Sequence, residues 1–517
     1  MKEIIKKISI VIVFIFIAVI LFISVDAIKG NGSTSQILKT MDIDGSPFQM
    51  SLTRGRWALI QAITNDKSFI IDKYAKTTYP DVLYANGHYY SVFIPGSAFF
   101  ASPFYQIGQR YDLGILFVFL LGPLLIIITA IIFFKALKDL HFNSAISLLT
   151  TFITIFGTNI YPYSVFFSAH PFSVLAITLS LYGAVQVIAR KRFLLGNTIF
   201  WFSYGFGLIS DYPNAITMLP IGLLLLFASV KILQKEDQRF LSINPSYFFF
   251  FFVSLIFIIP LLFYTKTLFG TYFTTIETHQ IEGYIDNKGK NIYYLADDPR
   301  FYLSHKPLYK PLKLDPHFTY KGLYMSLLSP ERGLFFFAPI LLLAMLGINE
   351  LFLTNKKLFY GLFFSIIFTI LTYSSYTDYA GGWSFGTRFF VGIVPLIAVF
   401  LAFSIKKYLK NPLFVFSLTI LGVLSIAINT LGALTSRLNP SSLEIEFTNC
   451  HIDCSFFREI PLLNHKGYTS FVYNEYLQNI LPKNIFFYML VGIMSTVFIL
   501  LIFISYINFA KKYEYRD

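Results

Sequence analysis

Apolar residues fall into long blocks along this chain, separated by connections that are either short and basic or long and mixed. Blocks of about 16 to 25 residues, at 1.5 Å of helical rise each, are long enough to cross roughly 30 Å of hydrocarbon. They lie near 8–25, 112–134, 143–162, 167–189, 194–210, 214–232, 246–265, 333–354, 358–376, 389–405, 412–434 and 485–509. The pattern predicts an all-α polytopic membrane protein with about 12 transmembrane helices.

The polar connections set its orientation. Lys and Arg cluster in KEIIKK, KALK, ARKR, KILQKEDQR, TNKK, IKKYLK and the tail KKYEYRD, at alternate ends of the proposed spans. Basic connections stay in the cytoplasm, which predicts an even number of spans with both termini cytoplasmic. The first span has a basic flank, but FISVDAIKG lacks a clean small-residue cleavage site, so it reads as a retained helix. On the other side the connections are long: about 85 residues after the first span, about 65 after the seventh and about 50 before the last. Loops of that length are usually functional, so the chemistry is expected outside. The predicted organisation is a transmembrane domain over 1–434 with outer loops 26–111 and 266–332, an extracytoplasmic loop or small cap over 435–484, and a final helix with its cytoplasmic tail over 485–517. Short interfacial helices are expected within the loops.

Composition agrees: 55% of the residues are hydrophobic and 13% charged, with 60 Phe and 34 Tyr, which excludes ordinary water-soluble and disordered classes. The net charge of +13 sits largely in the cytoplasmic turns, where it faces anionic lipid headgroups. No nucleic-acid-binding signature accompanies it, so membrane lipids are expected partners and nucleic acid is not.

Several polar residues stand where lipid-facing helices need none. In SLTRGRWALIQAITNDKSFI, Leu52, Trp57, Leu59, Ile60 and Ile63 form an apolar stripe, which suits a helix lying along the membrane surface. Arg54 and Arg56 on that helix either support it or present forked donors to phosphate. Beyond it come Asp72, then a turn at Asn86-Gly87 that presents His88, Tyr89 and Tyr90. Those tyrosines anchor at headgroups or stack on sugars. His170 lies at an outer helix end, satisfied by a carbonyl or orienting a phosphate. Asp211 either caps the next helix or joins a polar site. Lys321 precedes SPERG, whose Arg332 snorkels to headgroups or binds phosphate. In DYAGGWSFGTRFF, Gly381 and Gly382 permit a tight turn, Trp383 offers a flat face, and Arg388 enters the tenth span beside Asp378. Cys450 and Cys454 are spaced for a local disulfide, and their CxxxC pattern is weak evidence for zinc.

The order and sidedness of TRGRWALIQAITNDKSFIIDKY, NGHYYSVFIPGSAFFASPFY, FFSAHPF, SDYPNA, GLYMSLLSPERGLFFFAPILLLAMLG and DYAGGWSFGTRFFVGIVP resemble the integral-membrane glycosyltransferases of the GT-C superfamily. The resemblance is to the dolichyl-phosphate-mannose or aminoarabinose-transferase-like group, and it covers nearly the whole chain. It implies an external site that takes a sugar from a polyprenyl-phosphate or polyprenyl-diphosphate carrier, inverts its anomeric carbon, and passes it to a lipid, glycan or protein acceptor. Two departures stand out. Thr53 occupies the position where the family's first-loop acid is expected, and YYSVFIPG lacks the family's lysine.

The resemblance therefore implies a replacement base, with Asp72 first and Asp44 second. Arg388, Arg332, Arg54 and Arg56 are expected to neutralise the departing phosphate. His88, Tyr89, Tyr90, His170, Asp211, Lys321, Asp378 and Trp383 are expected around the substrate cavity. Some related enzymes use a divalent metal, which leaves one open here, but the sequence offers no compact ligand cluster and none is assigned. A secondary transporter and a non-catalytic sensor or assembly protein are the alternatives. A transporter would call for mid-membrane ionisable residues and related halves.

Overall fold

A computed structural model of the chain describes residues 2–78, 81–85, 87–235, 238–243, 245–273, 283–285, 291–293, 314–442, 454–464 and 467–514. The protein is helical and multi-pass. Among the described residues eight helices are long and apolar enough to cross a membrane, from Gly114–Asp139 to Lys483–Asn508. All eight fall on predicted spans. The other four predicted spans fall on shorter apolar helices: Lys7–Ile23, Ser144–Phe156, Asn214–Ser229 and Pro339–Thr354.

Local chemistry accounts for the shortening. The Ser144–Phe156 helix stops at Gly157, and a separate short helix, Ile160–Ser164, follows. The span expected from 333 is split after Phe337, where Ala338 leaves helical geometry and Pro339, which has no N–H to donate, begins a 3₁₀ stretch to Gly347. Among the described residues, strand content is confined to short two-stranded hairpins, such as Val82–Ala85 with His88–Ser91.

The basic connections meet at one end of the bundle. There Arg190 pairs with Asp139 at 3.0 Å, Lys407 pairs with Glu350, and Lys406 lies over the Phe142 ring. The described parts of the long loops gather at the other end.

The His170–Ile188 helix is the most enclosed of the eight spans, and Arg388–Tyr408 is the next. It crosses the Phe193–Ser210 helix at Gly183 and Gly196, where an added Cβ on either would come within 2.8 Å of the other's carbonyl. Small residues at such crossings let membrane helices approach closely, because dispersion rather than water exclusion holds them together. Both enclosed spans begin at the loop-rich end.

Irregular backbone at that end is buried, so its polar groups must find partners elsewhere. In the connection between Ser164 and His170, the Val165 carbonyl accepts from the Asp26 N–H at 2.8 Å, and the Phe167 carbonyl accepts from the Thr53 hydroxyl at 3.0 Å. A second buried stretch, 435–439, leaves the Pro412–Leu434 helix as a strap. Thr435 donates to Glu459 at 2.5 Å, Ser436 donates to Gln49 at 3.0 Å, and Arg437 pairs with Asp26. The Asn439 carbonyl accepts from the Ser384 N–H at 3.0 Å. The strap thus ties the first outer segment, the end of the first helix and the DYAGGWS loop together.

The Ser51–Gln61 helix forms where the apolar stripe predicts it, but it does not turn a polar face to water. Residues 52–61 are all buried, Arg54 and Arg56 included. Folded-over loop segments cover the side that sequence alone assigns to solvent.

Candidate functional site

Five chain segments end around one pocket, and each contributes at a helix terminus. His170 and Ser173 come from the first turn of His170–Ile188, Asp211 follows Phe193–Ser210, and Asn214 opens Asn214–Ser229. Tyr373 closes Lys356–Ser374, and Arg388 with Phe389 opens the helical stretch that continues to Tyr408. The pocket is a narrow one, its free space sufficient for about one water-sized group. Three helices therefore direct their N-terminal ends, the positive ends of their dipoles, at the same small volume.

Its walls are fixed by hydrogen bonds and ring contacts. Asn214 Nδ2 donates to Ser173 Oγ at 2.9 Å and to the Gly207 carbonyl at 3.0 Å. The Tyr373 and Phe389 rings stack 4.3 Å apart at 10°, and the Arg388 guanidinium lies 5.3 Å from the Phe389 centroid. His170 meets the Tyr163 ring edge-on at 4.6 Å. Asp211 lines the pocket just before the following helix, whose N-cap is Pro213.

A second arginine belongs to this neighbourhood. Arg56 lies buried over the Phe93 ring at 4.2 Å, with Nη1 donating to the Leu52 carbonyl at 3.0 Å and Nε without a hydrogen-bond partner. Burial pushes its guanidinium down to about 10, with Asp211 opposing that shift and Arg388 adding to it. It remains a cation at neutral pH. Both Arg388 and Arg56 also act on His170. Two cations, one carboxylate and one imidazole thus share one electrostatic field.

The other residues singled out in the sequence do not line this pocket. Arg54 is committed to backbone: Nε donates to Thr77 at 2.7 Å, and Nη1 to Phe48 at 2.7 Å and Gln49 at 2.6 Å. Arg332 is likewise buried, with four hydrogen bonds to carbonyls of Glu331, Ala380, Gly382 and Asn439. Asp72 is exposed in a turn ahead of the Val82–Ser91 hairpin, and its carboxylate meets His88 Nδ1 at 2.8 Å and accepts from the Tyr89 N–H at 2.7 Å. Tyr90, on the same strand, is buried. Asp44 is exposed and accepts from Gln49 at 3.0 Å. Lys321 is exposed on the Thr319–Leu327 helix.

Asp378 accepts from the Gly382 N–H at 3.2 Å and so closes the glycine turn, while Trp383 is 37% exposed with Arg458 6.0 Å from its ring. Cys450, and with it the expected bridge to Cys454, lies outside the described residues. Among the described residues no three His, Cys, Asp or Glu side chains come together as a metal site, and no metal enters the mechanism proposed from them.

Sequence reading overlooked Ser173, Asn214, Thr217 and Tyr373, which all line the pocket. The available signal was weak: polar residues within one turn of a span's end. Thr217 shares a 2.8 Å hydrogen bond with Thr369 on the neighbouring helix.

No family model matches the sequence, and no curated protein matches it. Solved structures do. ArnT from Cupriavidus metallidurans in the apo state is 12% identical, with 97% of this chain and 76% of that chain covered and a TM-score of 0.50. The same protein bound to undecaprenyl phosphate is 11% identical over 96% of this chain and 75% of that one, at a TM-score of 0.46. The Archaeoglobus fulgidus oligosaccharyltransferase in the apo form is 9% identical over 89% and 60%, at a TM-score of 0.42. The first likeness shows the fold, which is GT-C-like; the other two are too distant to add to it.

Proposed function

We propose that this protein is a glycosyltransferase that moves a sugar from a polyprenyl-phosphate carrier to a hydroxyl acceptor at the extracytoplasmic face of a membrane. One observation carries the reading: Arg388, His170 and Asp211 line a single pocket at the loop-rich end, with Arg56 in the same field. The basic connections meet at the opposite end, which the positive-inside rule assigns to the cytoplasm.

The carrier's phosphate would sit against Arg388 and Arg56, near the N-terminus of the His170–Ile188 helix, with its prenyl chain in the surrounding lipid. The acceptor oxygen attacks the anomeric carbon, and that C–O bond forms as the bond from the carbon to the phosphate oxygen breaks. The configuration inverts because attack and departure occur on opposite faces. The acceptor's proton passes to the Asp211 carboxylate, and the released polyprenyl phosphate leaves as a dianion. Arg388 and Arg56 hold the bound donor's phosphate and oppose the charge that grows on it as the bond breaks.

Asp211 takes the role expected of Asp72 or Asp44 because it shares the pocket with Arg388, whereas those two are exposed and engaged elsewhere. Thr53, the position of the missing acid, is buried and donates to the Phe167 carbonyl. Acceptor class stays open among lipid, glycan and protein.

The test offers purified protein a panel of polyprenyl-phosphate sugars with membrane-extracted acceptors and reads sugar transfer by mass. Transfer that vanishes in Arg388→Ala supports the reading; no transfer from any donor, with carrier passage across proteoliposomes instead, contradicts it.

A further inference from the structure

Arg332 and Arg388 look alike in the sequence, each an arginine at the entrance to an apolar run. Their surroundings differ. Arg332 is 1% exposed. Its Nε donates to the Ala380 carbonyl at 3.0 Å, and Nη2 donates to Gly382 and to Asn439, both at 2.8 Å. Nη1 donates to the Glu331 carbonyl at 2.8 Å.

Two of those acceptors flank Gly381. Gly381 and Gly382 both adopt left-handed backbone, at φ 70° and 60°, and Asp378 closes the turn by accepting from both of their N–H groups. The turn abuts the pocket arginine, since a Cβ on Gly381 would lie 3.2 Å from Arg388 Nε. The third acceptor, Asn439, belongs to the strap and also receives the Ser384 N–H at 3.0 Å. One guanidinium therefore fastens both sides of the glycine turn to the strap, directly behind Arg388.

We infer that Arg332 is a positioning residue, a planar clamp that holds the Gly381-Gly382 turn against the 435–439 strap and thereby sets Arg388 at the pocket. The inference rests on the reading that Arg388 grips the donor phosphate. It requires an arginine specifically. A forked guanidinium reaches several separated carbonyls in one plane, whereas an ammonium keeps the charge and supplies fewer, clustered donors. If Arg332 acted through charge on the phosphate, lysine would substitute for it.

The test compares full-length wild type and Arg332→Lys in detergent. Three quantities are read: acrylamide quenching of Trp383, thermal midpoint, and calorimetric binding of farnesyl phosphate with farnesol as control. Expected are increased quenching that disappears when Trp383→Phe is added, and farnesyl phosphate affinity lower by about tenfold. The thermal midpoint should fall as well, because buried carbonyls lose donors, and it is read to show that the variant still folds. Unchanged quenching and affinity overturn the inference. If Arg332→Lys does not fold, Gly382→Ala strains the same turn while leaving Arg332 intact; it should show the same two changes, and their absence overturns the inference. Arg388→Ala separates the two claims. If that variant binds farnesyl phosphate normally, the phosphate reading fails, and Trp383 quenching in Arg332→Lys still decides for or against the clamp.

Discussion

The Thr53 hydroxyl donates to the Phe167 carbonyl at 3.0 Å, and both residues are buried. The position where a GT-C resemblance expects an acid thus fastens a non-helical connection just before His170. Loss of that donor strands a buried carbonyl, at a cost of about 1–3 kcal/mol. Thr53→Val should lower the thermal midpoint measurably. Thr53→Asp should also destabilise, because it buries a carboxylate beside a carbonyl, and it should not raise transfer. Higher transfer in Thr53→Asp would show that the family acid can be restored and that the site is built around it.

Arg54 and Arg56 sit two residues apart on one buried helix and have different work. Arg54→Gln should chiefly cost stability, since Arg54 serves three carbonyls. Arg56→Gln should chiefly cost donor binding, raising KM for the polyprenyl-phosphate sugar by about tenfold. Thermal midpoints and donor kinetics on the two variants check the division. An Arg56→Gln enzyme with normal KM would remove Arg56 from the phosphate site.

Glu459 should give the loop-rich end a pH dependence. Burial raises its carboxyl from 4.5 to about 8, against the pull of its Thr435 hydrogen bond and of Arg458 and Arg437; Asp44 pushes it the same way as burial. Lys483 lies in the same field. A carboxyl whose folded pKa exceeds its unfolded value contributes stability that is fully present below the unfolded pKa and is lost as pH rises through the folded one. The wild-type thermal midpoint should therefore fall between about pH 5 and pH 9. Glu459→Gln, neutral throughout, should flatten that fall and exceed wild type at the alkaline end. Parallel curves for the two proteins would place the dependence elsewhere.

How much of this was legible in the sequence depended on whether the cause was local. Spans follow from uninterrupted apolar runs, so the helices beginning at His170 and Arg388 were readable, and both carry their polar residue at the expected end. Where a side chain spends its hydrogen bonds is not local. Arg332 reaches Asn439, over a hundred positions away in the chain, and nothing around SPERG distinguishes it from TRFF. Likewise Asp72 and Asp211 are both acids in the connections between spans. Only the fold, which sets Asp72 against His88 and Tyr89 of the hairpin, separates it from the carboxylate in the pocket. The polar wall of Ser173, Asn214 and Tyr373 was hidden for a related reason: single polar residues at helix ends are ordinary until five ends converge.

The central claim is that Asp211 receives the acceptor's proton beside Arg388. Its most direct test is sugar transfer by mass with Asp211→Asn and Asp72→Asn, each shown to fold and to bind farnesyl phosphate. The account predicts that Asp211→Asn loses about a hundredfold or more of its turnover, within the range for a lost general base, while Asp72→Asn stays within a few-fold of wild type. Full turnover in Asp211→Asn with its loss in Asp72→Asn would contradict it.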